Sequence, residues 1–111
     1  MQDYEECRKV VDETMDTYGR IDVLVNNAGV VSRGESFFKA DMEDIRRTMD
    51  INVMGTIHMI HAVSKYMADQ QKGTIVNIGS ICGTMANSES VGYHASKGAV
   101  EMVTKSLARE L

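Results

Sequence analysis

Ile21-Asp22-Val23-Leu24-Val25-Asn26-Asn27-Ala28-Gly29 is the stretch whose reading decides the fold. Its first five residues form a short β-branched run, which reads as a buried strand. Its last four are small or turn-forming and end that strand. Upstream, Asp3 to Tyr18 reads as a helix. Tyr4, Cys7, Val11, Thr14 or Met15, and Tyr18 recur at helical spacing, acidic residues open the segment and Gly19 follows it. Val30 to Ala40 reads as loop, from Ser32, Gly34 and Ser36.

Downstream, Asp41 has the character of an N-cap, with Asp44 three residues on in an approximate capping box. A long helix follows, its apolar face marked by Ile45, Met49, Val53, Ile57, Ile60 and Met67. Asn52 and Gly55 are poor interior helix residues, so a kink or a break in pairing is expected there. Asp69-Gln70-Gln71-Lys72 is a polar tail, and Gly73 is expected to close the helix. Thr74-Ile75-Val76-Asn77-Ile78 is a second strand, ending at Gly79-Ser80, and Ile81 to about Ser90 reads as loop. The last helix begins near Val91 and continues to Leu111, with Ala99, Val103 and Leu107 apolar.

Helix, strand, helix, strand, helix is the order of an α/β chain with a parallel sheet and a helical crossover. Both strands then point their carboxyl ends to one edge, where open α/β sheets bind ligands. That edge gathers Asn26 to Gly29, Ser80 and the start of the last helix. There Tyr93 and Lys97 stand at i and i+4, on one helix face. A phenol ordinarily titrates near pH 10, and a cation one turn away favours its phenolate, so the two form a candidate acid/base pair. Tyr4, Tyr18 and Tyr66 have Arg8, Asp22 and Gln70 at that spacing. Taken alone, Tyr93 and Lys97 are equally a packed tyrosine beside a solvated lysine.

Bulk properties exclude several classes. A chain of 111 residues makes one modest domain, and 43% hydrophobic with 25% charged residues is ordinary globular composition. The net charge of −4, with both signs interspersed, offers no basic patch for nucleic acid. No apolar run reaches membrane-span length and no signal peptide opens the chain. Cys7 and Cys82 are far apart with no CxxC, so two free thiols in a reducing cytoplasm are expected. His58 and His61 lie at i, i+3, but no carboxylate or cysteine motif joins them, so no metal is expected. His94 faces about 100° away from Tyr93 on a helix, and Cys82 is at most a pocket-lining residue.

Four motifs in order carry a resemblance. They are Asn26-Asn27-Ala28-Gly29 after a strand, Asn52-Val53-Met54-Gly55 in the long helix, Ser80 after the second strand, and Tyr93-x-x-x-Lys97 thirteen residues beyond Ser80. Together they resemble the short-chain dehydrogenase/reductase superfamily, of the classical type, over essentially the whole chain. The resemblance implies a partial Rossmann-like, doubly wound parallel sheet. It implies NAD or NADP as cofactor, and hydride transfer between cofactor and a small alcohol or ketone. Tyr93 would be the acid/base. Lys97 would support it and bond the nicotinamide ribose, Ser80 would bond the substrate oxygen, and Asn52 would hold a relay water. Asn26, Ala28 and Gly29, with Tyr93 and Lys97, would line the cofactor. Helices 41–72 and 91–111 resemble the surfaces through which members form dimers and tetramers. Each motif also has a plainer reading: Asn26 to Gly29 as a turn, Asn52 as a buried amide bonded to backbone, Ser80 as a turn-bonding hydroxyl.

Neither G-x-x-x-G-x-G nor G-x-G-x-x-G occurs in the chain. Residues 1–111 are therefore expected to be an internal fragment: the central, catalytic part of one NAD(P)-binding domain, without the N-terminal glycine-rich segment and the C-terminal substrate segment. In isolation such a piece is expected to be marginally stable and to bind cofactor weakly, since its strands lack neighbours. Two other functions fit less closely. An epimerase or dehydratase of the extended branch shares Tyr-x-x-x-Lys, but the wording of Asn26 to Gly29 speaks against it. A non-catalytic oligomerisation fragment would not need the acid/base residues.

Overall fold

Two parallel strands and the helices between and around them make up the structure, a computed structural model that describes residues 3–27, 29–30, 36–80 and 90–111. Ala28, residues 31–35 and residues 81–89 lie outside the described residues. So do the loop signals at Ser32 and Gly34, the cofactor-lining expectation for Ala28 and the pocket-lining one for Cys82.

Helix α1 spans Tyr4–Tyr18. The Asp3 carboxylate accepts from Glu5 N at 2.9 Å, and Gly19, at φ 77°, ends the helix by donating its N–H to Met15 O at 2.7 Å. Strand β1 is Val23–Asn26 and β2 is Thr74–Asn77, paired in parallel with Leu24 beside Ile75 and Asn26 beside Asn77. Between them run a 3-10 turn, Phe37–Lys39, then α2, Met42–Met49, a π-helical turn, Asp50–Met54, and α3, Gly55–Gln70. Helix α4 is Val91–Glu110. Asp41 caps α2 as its sequence promised, accepting from Glu43 N at 3.0 Å.

The break expected at Asn52 and Gly55 takes the form of the π-helical turn. Gly55 N–H reaches back five residues to the Asp50 carbonyl, so one extra residue is accommodated without ending the helix. This wider turn is where Asn52 is placed.

Two expectations are corrected. Gly73 does not close α3: Gln71 does, in the left-handed conformation at φ 56°, with its N–H on Ala68 O at 3.1 Å. Gly73 is needed for a different reason, since a Cβ there would lie 2.5 Å from Met67 Cγ and Sδ. The strands are also not fully buried. Leu24 and Ile75 face the apolar core of Val11, Ala62, Val63 and Met67. Val23 and Val25, on the opposite face by the two-residue alternation of a strand, are 56% and 55% exposed. The described helices cover one face of the sheet, which is why a continuous apolar run is only half buried here.

The polar tail at the end of α3 turns inward at one residue. Gln70 accepts from Ile21 N at 3.1 Å and donates to Ile21 O at 2.8 Å, fixing the entry to β1. No helix among the described residues is long and apolar enough to cross a membrane.

Candidate functional site

Parallel pairing brings the ends of β1 and β2 to one edge, and the first turns of α4 lie across it. Lys97 shows this most directly. Its Nζ donates to Ile78 O, just past β2, at 3.4 Å, and lies 3.7 Å from where a Gly29 Cβ would project, just past β1. The same ammonium stands 5.9 Å from the centre of the Tyr93 ring. Phenol and ammonium therefore share one helix face at the carboxyl edge, as their i, i+4 spacing predicts.

Asn52 comes to the same place from the π-helical turn. It is 1% exposed, and its side-chain amide pairs with the Val30 backbone like a strand neighbour. Oδ1 accepts from Val30 N at 2.8 Å, and Nδ2 donates to Val30 O at 2.8 Å. The second hydrogen of Nδ2 goes to Ser96 Oγ at 3.0 Å. Ser96 in turn donates to Tyr93 O at 2.8 Å. A Gly29 Cβ would sit 3.1 Å from Asn52 Oδ1, so a larger residue at 29 would push on this clamp and on Lys97 together. The small residue after β1 is thus explained by close approach.

Ser80 is half-buried, two residues past Ile78 and on the same edge. Asn26, expected to line a cofactor, is also tied across the sheet. Its Nδ2 donates to Asn77 Oδ1 at 2.9 Å across the sheet, and Asn77 Nδ2 donates to Thr104 Oγ1 at 2.9 Å on α4. Asn26 therefore joins the strand ends to each other and, through Asn77, to the helix. His94 Nδ1 bonds to Ser90 O at 2.9 Å, and its ring meets the Tyr93 ring edge-on with centroids 6.4 Å apart. His58 and His61 flank Tyr4 edge-on at 5.5 and 5.4 Å, and Tyr4 and His61 share a hydrogen bond of 2.8 Å that joins α1 to α3.

Among the residues that build the site, sequence reasoning passed over Ser96. The signal for Ser96 was the rule that buried polar groups find partners. A serine hydroxyl that donates to its own helix still has an acceptor to offer, and a buried asparagine amide has a second hydrogen to place.

The family profile described as short chain dehydrogenase matches residues 1–111. The chain belongs to the short-chain dehydrogenase family. A 3-oxoacyl-[acyl-carrier-protein] reductase from Synechocystis sp. is 39% identical over 107 residues, covering 96% of this chain and 43% of the reductase. Among solved structures, an NAD+-bound xylitol dehydrogenase superposes with a TM-score of 0.95 at 33% identity, over 98% of this short-chain dehydrogenase chain and 42% of its own. ElxO with NADP bound gives 0.93 at 33% identity, over 98% and 44%. The chain thus spans less than half the length of these relatives, and the part it spans is α/β of the Rossmann kind.

Proposed function

We propose that residues 1–111 are the central, catalytic part of a single nicotinamide-cofactor-binding domain. The whole protein is then an NAD(P)-dependent oxidoreductase that interconverts secondary alcohols and ketones. The position of Lys97 Nζ carries this reading, between the ends of both strands and beside the Tyr93 ring.

The residues present fit such a cofactor. An ammonium beside Gly29 that donates one long hydrogen bond, among the described residues, keeps donors for a ribose hydroxyl. Lys97 and Gly29 would hold it, with Ala28 and Tyr93 alongside and Asn26 bracing the strand end. When bound, the nicotinamide supplies the hydride for carbonyl reduction or takes it up in alcohol oxidation.

The chain's own residues manage the proton and the charge. Tyr93 gives its phenolic proton to the carbonyl oxygen as that oxygen gains negative charge, or takes the proton from the alcohol in the reverse direction. Lys97 stabilises the resulting phenolate by charge. Ser80 donates a hydrogen bond to the reacting oxygen. Asn52 acts as a clamp through both amide hydrogens, committed to Val30 and Ser96, while its backbone carbonyl, which accepts from Thr56 Oγ1 at 3.0 Å, has a second lone pair for a relay water.

By likeness to the relatives, the 3-oxo ketones of acyl thioesters and the secondary hydroxyls of polyols are the first substrate classes to try. A second copy would pack on α2, α3 and α4, where Met42, Val91 and Met102 stand 50%, 45% and 63% exposed. A buried thiol at Cys7 suits a reducing cytoplasm.

Tyr93→Phe in the whole protein tests the mechanism. Turnover is expected to fall on the order of a thousandfold, while nicotinamide binding, followed by fluorescence, is kept. Unchanged turnover would overturn this assignment.

A further inference from the structure

We propose that Ser96 is a positioning residue that locks the first turns of α4 to the segment following β1, and so sets where Tyr93 and Lys97 stand. The proposal rests on the oxidoreductase reading above for its effect on rate.

Ser96 is fully buried, at 0% exposure, so it does not touch a ligand at the open edge. Its hydroxyl both donates and accepts: it gives its proton to Tyr93 O at 2.8 Å and receives one from Asn52 Nδ2 at 3.0 Å. Asn52 in turn grips Val30 at both its N–H and its C=O. One serine hydroxyl thus connects the backbone just past β1, the π-helical turn and the carbonyl of the residue that carries the phenol. Lys97 is the next residue after Ser96, and its Nζ is the group wedged beside Gly29.

The physical consequence is leverage. The Asn52–Ser96 bond resists rotation and sliding of α4 against that edge. Without it the helix retains its backbone ladder, but the phenol and ammonium lose a fixed reference to the strand ends. Misplacement by about 1 Å costs as much as a hundredfold in rate for a well-oriented reaction. A second tether supplies the internal control. Asn77 Nδ2 donates to Thr104 Oγ1 at 2.9 Å, joining the same helix to the sheet two to three turns further on, away from Tyr93.

The experiment compares Ser96→Ala, Ser96→Cys and Thr104→Val in the full-length protein. For Ser96→Ala, kcat is expected to fall ten- to a hundredfold. The pH profile of kcat/KM for alcohol oxidation should change as well, because the ammonium no longer stands at a fixed distance from the phenol. Ser96→Cys, of nearly the same size and a weak donor, should restore part of the rate. Thr104→Val should lower thermal stability without moving kcat or the profile. Hydrogen exchange gives a readout independent of activity: amides in residues 91–98 should exchange faster in Ser96→Ala and at the parent rate in Thr104→Val. Parent-like kcat, profile and exchange in Ser96→Ala would overturn the proposal, as would the same changes in Thr104→Val. If Tyr93→Phe made in parallel keeps its turnover, the oxidoreductase reading fails, and exchange alone decides the lock. If Tyr93→Phe is dead and Ser96→Ala is silent, the lock alone fails.

Discussion

Where α1 lies on α3, the buried side chains are Cys7, Val11, Ala62, Val63 and Met67; where the π-helical turn meets α4, they include Asn52, Thr56 and Ser96. The first contact is a non-directional one, stabilised by area removed from water. Burial there also pushes the Cys7 thiol up, which keeps it protonated and makes it one more small apolar group. The second contact is directional: each buried donor or acceptor needs its partner at the right distance. An apolar contact accepts other side chains of similar volume and fixes the fold within that tolerance. A saturated polar contact accepts almost none and fixes positions closely. The acid/base pair is attached to the second kind.

Removing the central member of each contact breaks the comparison open. Asn52→Ala leaves the Val30 N–H and C=O and the Ser96 hydroxyl short of a partner, a loss of about 3 kcal/mol at about 1 kcal/mol or more per stranded group. Turnover should fall with it, because Tyr93 loses its reference through Ser96. Val63→Ala, in the apolar contact, removes two methyl groups and leaves a small cavity, a loss of about 2 kcal/mol. Its kcat should match the parent's at temperatures where both are folded. Denaturant unfolding paired with kcat checks both. If Val63→Ala slows turnover as much as Asn52→Ala, the division between a contact for stability and a contact for position is wrong.

The same division explains what could be read from the sequence. Asp3, Gly19 and Asp41 cap helices through bonds two to four residues long, and the π-helical turn is announced by Asn52 within it and Gly55 just after it. Such local chemistry is written in neighbouring letters. Tyr93 and Lys97 were legible because a helix puts i and i+4 together. The Asn52–Ser96 bond joins residues 44 apart and the Gln70–Ile21 bonds join residues 49 apart, so no local pattern announces them. Gly73 misled because a glycine needed for clearance against Met67 looks the same in sequence as one needed for a left-handed turn. The half-exposed strands misled because a β-branched run states apolarity and leaves open how many faces are covered.

Besides the Tyr4–His61 bond, a second polar tie crosses between α1 and α3, and it sharpens the comparison with the smallest effect. Tyr66 donates to Asp12 Oδ1 at 2.6 Å, joining α3 to α1. This hydrogen bond, with lesser contributions from burial and the charges of Asp12 and Asp16, raises the Tyr66 phenol above its ordinary range. The folded state therefore holds the proton more tightly than the unfolded state does. By linkage, the contribution is fully present below the unfolded tyrosine value near pH 10 and is lost as pH rises through the higher folded value. Thermal unfolding of the full-length protein should show a small, constant deficit for Tyr66→Phe at neutral pH, shrinking above about pH 10. Turnover at neutral pH should not change, because the bond lies in the contact that fixes the fold and away from the one that places Tyr93. A deficit that grows with alkalinity would mean that the folded state favours the phenolate, and that the Asp12 bond does not hold the phenol proton.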